Sequence, residues 1–181
     1  LKITPFTSFI GRETQPSFSP DGNQIAFAWD GEKGDNSDIY VKQVGTEALL
    51  RLTTDPAEDI DPLWSPDGRA IAFTRFKGES AELYLISPLG GQERKIAERR
   101  EIRHWVKSIV LHASDWSPDG KWLAISEATS SRDPVNLFLL SPESGEKRRI
   151  TTPPTGANGD GNAVFSPDGK TMAFVRYGGG G

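Results

Sequence analysis

Four short stretches of the chain share one pattern of large and small apolar residues: Ile25-Ala26-Phe27, Ile71-Ala72-Phe73, Leu123-Ala124-Ile125 and Met172-Ala173-Phe174. Side chains alternate between the two faces of a β-strand, so each triplet predicts a strand that is bulky on one face and slim on the other. Both faces are apolar, and both need cover. Sheets of this kind stack on copies of themselves. A further apolar run follows three of the triplets, at Asp38-Ile39-Tyr40-Val41-Lys42, Glu82-Leu83-Tyr84-Leu85-Ile86 and Asn136-Leu137-Phe138-Leu139-Leu140. Each predicts the next strand. Leu50-Arg51-Leu52-Thr53, Arg94-Lys95-Ile96-Ala97 and Arg149-Ile150-Thr151 predict a last, outermost one, and Leu1-Lys2-Ile3-Thr4 resembles them.

The same corner precedes every triplet. It reads Phe18-Ser19-Pro20-Asp21-Gly22, Trp64-Ser65-Pro66-Asp67-Gly68, Trp116-Ser117-Pro118-Asp119-Gly120 and Phe165-Ser166-Pro167-Asp168-Gly169, with serines 46, 52 and 49 residues apart. Proline pre-sets φ, Asp tolerates the next position, and Gly supplies the left-handed conformation, which closes a short hairpin. Repeats at this period predict an all-β fold, a β-propeller of four-stranded antiparallel blades. The spacing places strand D of a preceding blade at 1–5, blade 1 at about 15–53, blade 2 at about 61–97, blade 3 at about 113–151 and a half-blade at about 162–177. The third strand of the last unit would fall beyond Gly181. The propeller is therefore expected to be incomplete, and the remaining blades or a second copy are expected to close it.

Composition narrows the function classes. The chain has 181 residues, a net charge of −4 and no cysteine. A negative balance argues against nucleic-acid binding by this domain. Without cysteine there are no disulfides, thiolate metal sites or Cys nucleophiles. No apolar run reaches the roughly 20 residues of a transmembrane helix, so no membrane insertion by this segment is expected. The chain lacks a signal peptide and does not begin with Met, and it reads as a processed or excised piece.

In an up-and-down blade the A–B and C–D turns share one face, and the B–C and D–A loops share the other. The A–B corners are nearly identical and read as architecture. The B–C and D–A loops vary, and variable loops on a rigid scaffold are where binding is expected. Gln15, Asp61, Ala113 and Asn162 stand in one register, three residues before each corner aromatic, with Asp59, His112 and Asp160 near the same level. Polar groups at a channel mouth would receive a peptide or small ligand; the alternative is that they cap strand ends. Trp105, in a long D–A insertion with basic residues from Arg94 to Lys107, reads either as a partner anchor or as packing on the blade tops. Asp30, Glu32, Asp35, Asn36 and Asp38 crowd one loop, but their spacing is unlike a calcium loop and Lys33 interrupts them, so a solvated loop is expected. His104 and His112 lack a metal-ligand spacing. Ser19, Ser65, Ser117 and Ser166 belong to turns, and no Gly-x-Ser-x-Gly elbow occurs. No catalytic residue, metal or cofactor is assigned.

The corner with its triplet, then Asp38-Ile39-Tyr40-Val41 and Arg51-Leu52-Thr53, resembles the repeat of the TolB-like β-propeller family over nearly the whole chain. That family includes the C-terminal propeller of TolB and propellers of bacterial winged-helix CadC-type regulators and serine/threonine kinases. The resemblance implies a non-catalytic module for protein or peptide binding or sensing. It also implies a larger bacterial envelope or signalling protein, with a periplasmic or extracytoplasmic location. Two alternatives stay open: the substrate-gating propeller of a prolyl-oligopeptidase-like serine peptidase, and a channel-site lyase or metal enzyme.

Overall fold

Each corner is closed by its own side chains. The Ser19 hydroxyl donates to Asp21 Oδ1 at 2.6 Å and accepts from the Gln24 amide at 2.9 Å, while Asp21 Oδ1 also accepts from the Asn23 amide at 3.0 Å. The corners at Ser65, Ser117 and Ser166 repeat these bonds. The serine hydroxyl and then the amide hold the carboxyls of Asp21, Asp67, Asp119 and Asp168 below the usual carboxylate range. Gly22, Gly68, Gly120 and Gly169 sit at φ of 72°, 71°, 71° and 68°, the left-handed region that favours glycine.

The computed structural model describes residues 3–99, 111–128 and 133–178. Among them there is no helix, so none long and apolar enough to cross a membrane. The first blade pairs β1 (Glu13–Phe18), β2 (Gln24–Trp29), β3 (Asp38–Gln43) and β4 (Leu49–Arg51) in that order. The second pairs β5 (Glu58–Trp64), β6 (Ile71–Lys77), β7 (Ser80–Ile86) and β8 (Arg94–Arg99). The third holds β9 (Leu111–Trp116), β10 (Leu123–Ala128), β11 (Val135–Leu140) and β12 (Lys147–Arg149), and β13 (Gly159–Phe165) with β14 (Met172–Tyr177) forms a half-blade. Pairing within each blade is antiparallel. One parallel bridge, Val135 to Gly159, ties the half-blade to the third sheet. A Cβ on Gly159 would lie 2.5 Å from the Val135 amide nitrogen, so the close approach needs glycine there.

The bulky and slim faces meet as the triplets predict. Ala26, Ala28, Ile39 and Val41 of the first blade pack against Trp64, Ile71 and Phe73 of the second. Ala72, Leu83 and Leu85 of the second meet Trp116, Leu123 and Ile125 of the third. Ala124 and Leu137 meet Ala163, Phe165 and Met172. Ala26, Ala72 and Ala124 are fully buried, while Ala173 is exposed because no sheet lies over it. The same asymmetry separates Trp64, 6% exposed, from the equivalent Phe18, 63% exposed.

Two features differ from the simple pattern. Each inner strand carries a bulge, and β1, β5, β9 and β13 begin two or three residues before the expected starts. The described residues 3–5 form no strand, although the sequence predicts strand D of a preceding blade over 1–5. No sheet edge stands beside them to pair with. Instead Phe6 and Phe9 lie on the bulky face of blade 1, against Ile25, Phe27, Trp29 and Tyr40, and the Trp29 indole donates to Ile10 O at 2.9 Å.

Stacking makes a direct forecast. Ala72→Leu forces extra volume between two blades and should destabilise the fold by about 1–3 kcal/mol. Ala173→Leu, the same change on an uncovered face, should stay within about 0.5 kcal/mol. Urea unfolding of both variants measures the difference, and equal losses would contradict the stacking.

Candidate functional site

The inner strands set the polar groups. Gln15, Asp61 and Asn162 adopt φ of 54°, 56° and 51° at the bulges, a conformation uncommon for residues other than glycine. The Asp61 amide donates to Gln15 Oε1 at 3.2 Å, linking blade 1 to blade 2. Asn162 is exposed and donates to the Tyr177 hydroxyl at 2.9 Å. Ala113 falls outside this set: it is buried in the core, and the blade 3 bulge lies nearer the corner, beside Ser114.

Asp59 and Asp160 are not open to the channel. Asp59 is 0% exposed, and its oxygens accept from Arg75 Nε and Nη2, both at 2.7 Å. The Thr53 hydroxyl, at the end of the preceding blade, lies near enough to lower the Asp59 carboxyl, but it donates to Asp38 Oδ1 at 3.1 Å and accepts from the Ile39 amide at 2.9 Å. The Asp59 amide donates to Ser37 O at 2.7 Å. Asp160 repeats the device with Arg176 at 2.7 and 2.9 Å and with Thr151, which accepts from the Leu137 amide at 3.0 Å. Glu13 occupies the same register in β1 and accepts from Thr7 at 2.6 Å, with Trp29 in place of the arginine. In blade 3 the trio reads Ala97, Leu111 and Glu127, so the latch is absent at the junction of blades 2 and 3. There Glu127 pairs with Lys147 at 2.6 Å.

From the sequence, Asp59 and Asp160 read either as ligand contacts or as caps of strand ends, because the carboxylates are seen without their partners. The structure makes them joints between blades. A signal was present: Asp stands five residues before the corner aromatic and Arg seven after the corner glycine, in units two and four alone.

The two latches differ in charge. Arg75 is shared, with Glu93 at 2.6 and 2.9 Å and Asp55 at 3.4 Å, and its guanidinium lies over the Tyr84 ring at 4.8 Å. Burial outweighs Arg75 and pushes Asp59 up to about 6, with Glu93 adding to the rise. The Arg176 guanidinium instead holds Asp160 below its ordinary value.

On the B–C/D–A face, a cleft of about 660 Å³ opens between blades 1 and 2, lined by Arg12, Asp30, Asp35, Asn36, Asp55 and Lys77 among others. A smaller pocket of about 270 Å³ shares Arg12 and Asp30 with it and reaches Gln15 and Ile60. Lys77 pairs with Asp55 at 3.0 Å, and Asn36 donates to Asp55 O at 2.9 Å, which joins the two loops. The side chains of Arg12 and Asp35 form no ion pair with a described residue. Asp38 is buried against Arg51 and Thr53, and burial pushes its carboxyl up. It therefore does not face the loop as an open oxygen ligand. No group of three His, Cys, Asp or Glu able to hold a metal occurs among the described residues. His112 lies in β9 opposite Ser126. His104 and Trp105 lie outside the described residues.

The raised Asp59 carboxyl gives a pH signature. A carboxyl raised in the folded state favours folding below the unfolded value near 4, and that contribution is lost as pH rises through about 6. The stability of the unsubstituted protein relative to Asp59→Asn should therefore fall across this window and level off above it. Urea midpoints at successive pH values test this, and a difference that grows with pH would refute it.

A model of the TolB beta propeller domain matches residues 2–106. The peptidase YuxL of Bacillus subtilis, described as uncharacterized, is 29% identical over 89% of this chain and 29% of its own length. The Tol-Pal system protein TolB of Francisella tularensis subsp. mediasiatica is 26% identical over 96% of this chain and 38% of its own. The chain thus spans about a third of the length of these curated relatives. Among solved structures, TolB from Acinetobacter baumannii superposes with a TM-score of 0.65 at 21% identity, covering 96% of this chain and 46% of that one. An oligogalacturonate lyase from Vibrio parahaemolyticus gives 0.64 at 21%, covering 97% and 48%. At such identities the likeness is one of fold. The corners, the stacked faces and a family match over more than half of the residues agree, and the chain belongs to the TolB beta propeller domain family.

Proposed function

We propose that this chain is a non-catalytic propeller module that binds a protein or peptide through its B–C/D–A face, within a larger bacterial envelope or signalling protein. The cleft between blades 1 and 2 carries the reading. It neighbours a pocket that reaches the inner strand at Gln15, and it holds the side chains of Arg12 and Asp35, which form no ion pair with a described residue. Concave surfaces with a few convergent polar groups are the usual places for ligands. At the junction beneath, the Asp59 amide of blade 2 donates to Ser37 O of blade 1 at 2.7 Å. The likeness to Tol-Pal system proteins supports a protein partner and a periplasmic or extracytoplasmic location. Further blades or a second copy would cover Ala173, Val164 and Val175 and complete the ring. No nucleic-acid contact and no cofactor form part of this reading.

A second reading rests on the likeness to a protein named as a peptidase. There the same propeller would gate substrate for a serine hydrolase domain carried elsewhere in the polypeptide. A Gly-x-Ser-x-Gly elbow in the same polypeptide would favour it. A channel-site lyase has less support, because its structural neighbours share only the fold.

Selection of displayed peptides on the immobilised chain tests the binding reading. Peptides should be enriched that lose about tenfold or more in affinity with Arg12→Ala or Asp35→Asn, the scale of a modest hot spot. Failure to enrich any sequence, or enrichment indifferent to both changes, would reject this face.

A further inference from the structure

Asn158-Gly159 is the only Asn-Gly pair in the chain; the other asparagines, Asn23, Asn36, Asn136 and Asn162, precede Gln24, Ser37, Leu137 and Ala163. The pair stands at the entrance to β13 and carries the bridge between blade 3 and the half-blade. The Asn158 carbonyl accepts from the Val135 amide at 3.1 Å, its own amide donates to Tyr177 O at 2.9 Å, and its side-chain Nδ2 donates to Gly178 O at 2.9 Å. The residue after it has to be glycine, since Gly159 holds φ of 144° and a Cβ there would collide with Val135. Asn158 and Gly178 are both exposed, so the two ends of the side-chain clip are open to water.

We propose that Asn158 is a modification site, where intramolecular deamidation loosens the half-blade from blade 3. The Gly159 main-chain nitrogen, having lost its proton to base, attacks Asn158 Cγ. The Cγ–Nδ2 bond breaks, ammonia leaves, and a five-membered succinimide remains. Water opens the ring at one carbonyl or the other, giving aspartate or isoaspartate; nothing is oxidised or reduced. Glycine favours ring closure because no Cβ crowds the attacking nitrogen. Both products lack the Nδ2 donor that holds Gly178 O. In isoaspartate the main chain also gains a methylene and runs through Cγ, and the carbonyl that accepted from Val135 becomes part of a free carboxylate off the main chain. The one parallel bridge between the two units then loses its geometry. The same chemistry is blocked at the corners. Asp21 also precedes a glycine, but the Ser19 hydroxyl and the Asn23 amide keep its carboxyl ionised, a poor electrophile, and the Gly22 amide is held by Ser19 O at 2.8 Å. The site belongs to the scaffold and not to the B–C/D–A cleft, so its test is independent of the function proposed above.

The test ages the whole chain in warm, mildly alkaline buffer, followed by peptide mapping with mass spectrometry, ammonia release and enzymatic methylation of isoaspartate. Conversion should appear at Asn158 ahead of the other four asparagines and quicken with pH. Asn158→Gln should abolish it at this position, because the longer side chain would have to close a six-membered ring. Amide exchange in β13 and β14 should speed up about tenfold in the aged chain, the scale of one lost hydrogen bond, with β2 and β6 unchanged. Ageing of the Asn158→Gln chain should leave its exchange where it began, which separates this site from damage elsewhere. No conversion at Asn158, conversion spread evenly over the asparagines, or conversion that leaves exchange in β13 and β14 unaltered would overturn the proposal.

Discussion

Stacking of a slim sheet face on a bulky one is the constraint on which the rest depends. Ala26 and Ala28 leave the depth that Ile71 and Phe73 fill, and Ala72 does the same for Leu123 and Ile125. Fully burying a side chain such as Phe73 or Ile71 contributes about 1.5–3 kcal/mol. Several such residues meet at each junction. The sum far exceeds anything the polar contacts at the same junction supply. That is why the junction of blades 2 and 3, which has no Thr–Asp–Arg latch, still holds the cluster of Phe76, Leu83, Trp116, Ile125 and Phe138.

The latch has a different part. A buried ion pair gains little net stability over apolar packing of the same volume, because desolvation offsets attraction. Bidentate geometry, however, fixes distance and angle. Arg75 fixes Asp59 within its own blade, and the Asp59 amide reaches Ser37 O of the preceding blade at 2.7 Å with Thr53 beside the carboxyl, so the strand that meets the neighbouring blade is itself held in place. The cleft on the B–C/D–A face sits over this junction. Its walls, the loops at Asp30–Ser37 and Asp55–Glu58, are carried on strands that the latch holds in place.

Much of the architecture was legible in the sequence, because the corners and the triplets are local. Ser-Pro-Asp-Gly makes its bonds within five residues, and large-Ala-large reports its own faces. β2 (Gln24–Trp29) forms around the triplet Ile25-Ala26-Phe27, as the pattern predicts. The candidate site was less legible because its logic is non-local. Asp59 was readable as a polar residue near the axis, but its partner lies sixteen residues later and its third contact belongs to another blade. The bulges hid a register shift, which is why Ala113 looked equivalent to Gln15 and Asp61 and is instead core. Ile3-Thr4 resembles an outer strand, but a strand needs an edge to join; the described residues 3–5 form none, and the threonine that bonds to Glu13 is Thr7.

The corners also touch one another. A Cβ on Gly68 would lie 3.8 Å from Pro20, on Gly120 3.5 Å from Pro66, and on Gly169 3.4 Å from Pro118. Each corner therefore carries both halves of a joint, a ring that leans forward and a bare backbone that receives one. Gene duplication of such a unit delivers a module already fitted to its neighbours on either side. Added units would then meet their neighbours through the same corner contact, whatever the polar groups at each junction.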